Sequence, residues 1–269
     1  MKSDSYVSPT ERVRVWLAGS ALHVSFNNPA RHNALSVDMW EAVPTILDQA
    51  AADDRVRLAV FSGEGTKAFV SGADISQFED QRAARSAVER YEAMAEAALV
   101  GIQNFGKPTI SAIRGYCIGG GVNVAIACDI RLASDDAQFS IPATRLGLGY
   151  RFSALKNLVD LIGPGRASEL FFTARRIRAN EALQMGLINR AVSADALEAL
   201  VDEYSELIGT GAPLTVRAGK RIIREVLKPD DNIDMDLCRK LIIDCFESED
   251  YAEGRKAFME KRKPVFRGR

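Results

Sequence analysis

Up to about residue 142 the chain alternates short apolar runs of strand character with helical stretches, and that order constrains its fold more than any other feature. "RVRVWLAGSALHVSFNNP" divides into two alternating strands around an Ala18-Gly19-Ser20 turn. Ser36 is placed to cap a helix over "VDMWEAVPTILDQAAADD", with Asp38 favourable in its first turn and Trp40, Val43 and Leu47 on one face. Pro44 inside that helix predicts a kink or an interruption. The compact strand "VRLAVFSG" follows from Val56, then a long Ala- and Glu-rich helix over Gln81 to Asn104, then the strand "KPTISAIRG". "GVNVAIACD" has room for two or three helical turns, and "DIRLASDDAQFSI" returns to strand character. Such an order implies an α/β class with parallel strands and right-handed crossovers. After Ser153 the pattern is mostly helical. "ALKNLVDLIG" stops at Gly163 with Pro164 behind it, and further helices are expected at 165–173, 179–186, 194–209, 213–227, 234–247 and 249–261.

With 269 residues and 47% hydrophobic content the chain can bury a substantial core, as one large domain with or without a helical appendage. A formal charge of −1 without a long basic run argues against a general nucleic-acid binder. Cys117, Cys128, Cys238 and Cys245 form no CxxC pair, and His23 and His32 lie far from them in sequence, so reduced core thiols are expected rather than a zinc site. The opening "MKSDSYVSPTERVRV" has no apolar signal core, and no segment reaches the roughly 20 apolar residues of a membrane span. A soluble, reduced, cytoplasmic protein is expected.

"GYCIGGGVNVAIACD", Gly115 to Asp129, sets three glycines before a helical run. It matches neither G-x-G-x-x-G nor G-x-x-x-x-G-K-[ST]. It is either a tight strand-to-helix turn or a pocket where backbone approaches a ligand closely, with the positive end of the helix aimed at the same spot. A second loop of small residues, Ser71, Gly72 and Ala73, lies in "FVSGADI". Two such loops at the ends of adjacent parallel strands can aim two amides at one oxygen, the design of an oxyanion hole.

"GTKAFVSGADI", "IRGYCIGGGVNVAIACDIRLASDDAQFSIP" and "EGRKAFMEKRKPVF" together resemble the crotonase superfamily, known for enoyl-CoA hydratases and isomerases, from "NNPARHNALS" to the C-terminus. The resemblance implies a spiral of ββα units making two nearly perpendicular sheets, with an α/β core over residues 1–200. Residues 201–269 would form a C-terminal helical region that mediates trimerisation, often into dimers of trimers, and closes the CoA site. It implies acyl-CoA thioester substrates, no cofactor beyond the coenzyme A of the substrate, and a homo-trimer or hexamer. By position, the oxyanion donors would be the N–H groups of Ala73 and Gly120. CoA contacts would come from Ala30, Arg31 and His32, from the loop around Gly72, Asp74 and Ile75, and from Phe258 and Lys261 of a neighbouring subunit. A lysine facing a CoA phosphate acts as a point charge.

Hydratases of the family use two glutamates twenty residues apart, and the matching positions here are Asn123 and Ala143. Adding water to a conjugated double bond needs a base for the water and an acid for the α-carbon. Asn123 orients groups but has no useful proton, and Ala143 offers nothing, so standard hydration is not expected. Arg151 stands eight positions beyond Ala143, where several relatives carry a catalytic carboxylate. It is suited to binding a substrate carboxylate or stabilising an anion. Tyr150 can donate a proton, and Glu169 is a further candidate carboxylate; His23 is expected to be structural, and His32 either binds CoA or is merely exposed. Two functions remain open: an acyl-CoA enzyme that stabilises a thioester enolate with non-standard acid/base chemistry, or a catalytically weak carrier or sensor of acyl-CoA.

Overall fold

The computed structural model describes residues 6–74 and 85–269. β1 (Val13–Ala18) and β2 (Ala21–Phe26) pair antiparallel around the turn at Gly19, which takes the left-handed conformation at φ +58°. A 3₁₀ turn at Pro29–Arg31 leads to α1 (Val37–Ala51), with Ser36 in the N-cap position. Then come β3 (Leu58–Gly63), β4 (Ala68–Val70), α2 (Arg85–Asn104), β5 (Thr109–Ile113), β6 (Tyr116–Ile118), α3 (Gly120–Ala127), β7 (Ile130–Ser134) and β8 (Gln138–Ser140). The chain continues through α4 (Ala143–Leu146), α5 (Phe152–Ile162), α6 (Pro164–Thr173), β9 (Ile177–Arg178), α7 (Ala179–Met185), β10 (Arg190–Val192), α8 (Leu197–Gly209), α9 (Pro213–Val226), α10 (Met235–Phe246) and α11 (Glu249–Met259).

The strands form two sheets, ordered β1-β2-β3-β5-β7-β10 and β4-β6-β8-β9. The chain therefore steps from the large sheet to the small one and returns through a helix, three times in succession: β3-β4-α2, β5-β6-α3 and β7-β8 followed by helices. β2, β3, β5, β7 and β10 are mutually parallel, as are β4, β6 and β8. "DIRLASDDAQFSI" thus resolves into two strands of different sheets. Its turn is fixed by the Ala137 N–H bonding Ser134 C=O at 3.0 Å.

Both faces of the large sheet are covered. Leu58 and Val60 of β3 join Ile110, Leu132, Leu197 and Val201 in one cluster, while Ala59 and Phe61 join the main core. This is why β3 reads as an unbroken apolar run rather than an alternating one. α8 is what covers the second face, so the boundary expected at residue 200 falls inside a helix that packs on the core sheet.

Of the kink or interruption expected at Pro44, the interruption does not occur, and α1 runs through it. It removes one intrahelical N–H bond, whereas the same helix buries Met39, Trp40, Ala42, Val43, Ile46, Leu47 and Ala50. Burying a large apolar side chain contributes about 1.5–3 kcal/mol, so burial outweighs the lost bond. At the other end Lys107, itself buried, donates its Nζ to the carbonyls of Ala50 and Asp53 at 2.7 Å each, capping the helix from outside. All four cysteines are free thiols; burial pushes the Cys128 thiol up to about 12 and Cys117 well up, which makes both unreactive. Among the described residues, no helix is long and apolar enough to cross a membrane.

Candidate active site

Because β4 and β6 are parallel neighbours, the loops leaving their C-terminal ends lie side by side. Gly72 takes φ +115° in the first loop and Gly119 takes φ +53° in the second. A Cβ built on Gly120 would stand 3.8 Å from the Gly72 carbonyl carbon. The first loop is pinned from its outer side by residues 32–35. His32 C=O accepts from Ser71 N–H at 3.1 Å, Leu35 N–H donates to Gly72 C=O at 2.8 Å, and Leu35 C=O accepts from Asp74 N–H at 2.8 Å. With both Leu35 bonds going to the residues flanking Ala73, the N–H of Ala73 points away from Leu35. Gly120 is the first residue of α3, where an N–H has no carbonyl one turn back. Among the described residues neither N–H has an acceptor.

The three glycines answer separate needs. Gly119 supplies the left-handed turn, and Gly120 brings backbone close to the Gly72 loop. Gly121 lets α3 rest on β4, since a Cβ there would lie 2.2 Å from Val70 O. The tight strand-to-helix turn is therefore present, and the same glycines bring α3 close to the backbone of β4 and its loop.

Trp40 borders the same spot. Its Cζ2 lies 3.8 Å from the Cβ position of Gly120, and its Nε1 donates to the Tyr91 hydroxyl at 2.9 Å. Burial pushes the Tyr91 hydroxyl up to about 12. Asn123, nearly buried, follows Gly120 by one turn of α3, and its Oδ1 accepts from the Tyr150 hydroxyl at 2.9 Å. Burial likewise pushes Tyr150 up to about 12, so its proton is firmly held. Ala143, 2% exposed, opens α4.

Arg151 is not a bare fork awaiting a carboxylate. Its Nε lies 2.9 Å from Glu92 Oε2, its Nη1 lies 3.1 Å from Glu96 Oε2, and the same Nη1 donates to the Glu92 carbonyl at 2.8 Å. Ser153 adds a bond to Glu96 Oε2 at 2.9 Å. The role expected for Arg151, recognition of a substrate carboxylate, would require displacing partners the fold already supplies. Glu92 and Glu96 were not among the residues singled out in the sequence, nor was Tyr91. Their one-turn spacing on α2 marks a helix face, but nothing local links that face to Arg151.

Of the expected CoA contacts, Ala30, Arg31 and His32 form the exposed 3₁₀ turn and its cap, joined to the Gly72 loop by an Arg31–Asp74 ion pair of 2.8 Å. Asn33, at φ +55° and fully buried, ties this turn down through bonds to Ala68 C=O at 2.8 Å and Glu64 C=O at 3.0 Å. His32 stands edge-on to Tyr116 at 5.7 Å, and Arg176 covers that ring at 5.3 Å. Ile75 lies outside the described residues. Phe258 lines a separate recess with Phe246, Tyr251 and Phe266, and the exposed Lys261 follows α11 directly. Glu169 belongs to a surface cluster in which Arg175 bridges it, at 2.7 Å, to Glu181. His23 stacks on Trp16 across β1 and β2 at 4.9 Å.

A family model described as Enoyl-CoA hydratase/isomerase matches residues 18–269. The chain is 32% identical to the short-chain-enoyl-CoA hydratase of Clostridium acetobutylicum over 91% of its own length and 93% of that protein. It is also 32% identical to the peroxisomal Delta(3,5)-Delta(2,4)-dienoyl-CoA isomerase of Arabidopsis thaliana, over 99% of both chains. The crystal structure of an enoyl-CoA hydratase/isomerase family protein from Hyphomonas neptunium superposes with a TM-score of 0.91 at 36% identity, covering 98% of this chain and all of that one.

Proposed function

The chain belongs to the enoyl-CoA hydratase/isomerase family of the crotonase superfamily, and from that premise we propose that it moves a proton along an acyl-CoA thioester rather than adding water to one. Identity does not choose between the two reactions, because a hydratase and an isomerase match it equally, at 32% each. The site favours one of them. The observation that carries the proposal is the pair of acceptor-less N–H groups of Ala73 and Gly120 beside an amide at 123 and a methyl at 143. The two donors suit the oxygen of a thioester enolate, where one such donor is worth about 10²–10³ in rate. Hydration needs two groups that trade protons, whereas an isomerising proton shift needs one.

The test is a panel of CoA thioesters, with binding followed by calorimetry and product by absorbance of the 2-enoyl thioester. The expected result is conversion of 3-enoyl to 2-enoyl thioesters, with weak hydration of crotonyl-CoA. Tight binding across the panel with no product at all would replace the enzyme with a carrier or sensor of acyl-CoA.

The same proposal includes a homo-trimer or hexamer. Phe258 and Met259 at the end of α11 are 83% and 80% exposed, and Ile242, Ile243 and Phe246 of α10 are bare as well. A contiguous apolar surface of this kind is unusual on a free monomer and suits a second copy of the chain. In the assembly, Lys261 of one subunit would meet the CoA of another. Lys261→Glu is expected to weaken CoA-ester binding about tenfold or more, the scale of a lost charge-assisted bond, without altering the mass seen by light scattering. A monomeric native protein at micromolar concentration would refute the assembly.

A further inference from the structure

We infer that Glu92 is the catalytic base of this site, the group that lifts a proton from the α-carbon of the thioester and returns it to the γ-carbon. The inference rests on the thioester reading above and names the group that performs its proton transfer.

Two dipeptides build the arrangement. Tyr91-Glu92 comes from α2 and Tyr150-Arg151 from the segment between α4 and α5. The Tyr91 hydroxyl is bonded to Trp40, whose ring borders Gly120, and the Tyr150 hydroxyl is bonded to Asn123, one turn further along α3. Each tyrosine thus anchors its neighbour beside the first turn of α3, and the two neighbours meet as an ion pair of 2.9 Å. A carboxylate thus follows directly on the tyrosine that reaches Trp40 beside Gly120, although positions 123 and 143 supply none.

The two glutamates of α2 are not equivalent. Glu96 Oε2 accepts from Ser153 and forms an ion pair with Arg151, so it is held on two sides. Glu92 meets Arg151 most closely through Oε2, and among the described residues no hydrogen bond is donated to its carboxylate. Its side chain is 41% exposed, so the carboxylate is open to solvent and to a ligand. One guanidinium against two carboxylates leaves the cluster with a net negative charge, while its planar fork fixes the Glu92 rotamer. Tyr150 is a poor rival, since its proton is given to Asn123 and burial holds it there.

With a 3-enoyl thioester the step closes on itself. Glu92 Oε1 takes an α-proton; the C–H electron pair moves into the bond to the carbonyl carbon, and the carbonyl π pair moves onto the oxygen, facing the N–H groups of Ala73 and Gly120. When the oxygen pair returns to the carbonyl, the pair between the carbonyl carbon and the α-carbon becomes the α–β double bond, the β–γ double bond opens, and its pair takes the proton from Glu92 at the γ-carbon. The product is the 2-enoyl thioester, and no water, oxidant or second substrate enters.

The experiment follows isomerisation of trans-3-hexenoyl-CoA by 2-enoyl absorbance, with calorimetric binding measured alongside. Glu92→Gln is expected to lower kcat by about 10²–10⁴, the usual worth of a general base, with ester affinity unchanged. Glu92→Asp keeps the charge at shorter reach and is expected to recover part of the rate. The acid limb of the native pH–rate profile should vanish from the residual Glu92→Gln activity, a change that a structural role would not produce. Glu92→Gln turning over within about threefold of native overturns the assignment of Glu92 while leaving the isomerase reading intact. A native protein that binds trans-3-hexenoyl-CoA without isomerising it overturns both.

Discussion

Gly121→Ala is expected to abolish most turnover and to destabilise the fold by about 1–3 kcal/mol or more, the range of overpacked cores. The new Cβ would lie 2.2 Å from Val70 O and 3.0 Å from Val70 Cβ. The obstructing atom is main chain, so no rotamer change relieves the contact, and α3 must lift off β4. That motion separates Gly120 from the Gly72 loop, and with it the two N–H groups that share one oxygen in the proposed chemistry. A displacement near 1 Å at a reacting centre is enough to cost about 10² in rate. Gly165→Ala on α6 is the control, because nothing lies within 4 Å of the added Cβ, and it should leave both melting temperature and activity near native. Urea unfolding and isomerisation rates on both variants check the prediction. A Gly121→Ala protein with native stability and rate would mean that α3 does not rest on β4 as described.

The close approach of the two glycine-containing loops is the part of the candidate site that is legible in sequence. A run of three glycines and the small residues of "SGAD" advertise backbone approach, because only missing side chains permit it. The helices after Ser153 were legible for a similar local reason: their caps and stops, such as Gly163 with Pro164, sit in the chain itself. β4, β6, β9 and β10 were not, being two or three residues long and too short for any period to register. At Pro44 local propensity allows an interruption, and the buried face of α1 overrides it. The side-chain half of the site was hidden most deeply. Trp40 meets Tyr91 across 51 residues of chain, and Arg151 meets Glu92 across 59. Such pairs are made by the crossover of α2 onto the sheet, and no spacing within either segment encodes them. Arg151 viewed without its partners looks like an anion site; beside Glu92 and Glu96 it becomes the holder of carboxylates.

The double change Asn123→Glu with Ala143→Glu is expected to raise crotonyl-CoA hydration by about 10² or more over a poor native rate, and by more than the product of the single gains. Two carboxylates holding one water act as a unit, so either alone should do little. The Tyr150 hydroxyl, 2.9 Å from Asn123 Oδ1, would donate to a glutamate at 123 and favour its ionised form, which limits how well that group serves as an acid. Ala143 is 2% exposed, so a glutamate there must open space and desolvate, a burden of about 1–3 kcal/mol that a thermal shift would register. Hydration is followed by loss of 2-enoyl absorbance. Native turnover in the ordinary enzymatic range, about 1–10³ per second, would show that another pair of groups already handles water. The double variant should also keep part of the isomerisation assigned to Glu92, since neither substitution removes that carboxylate, although Asn123 faces α2. Adding Glu92→Gln to it should then lower isomerisation to what the new glutamates themselves supply and spare hydration, placing two reactions on one pair of backbone donors.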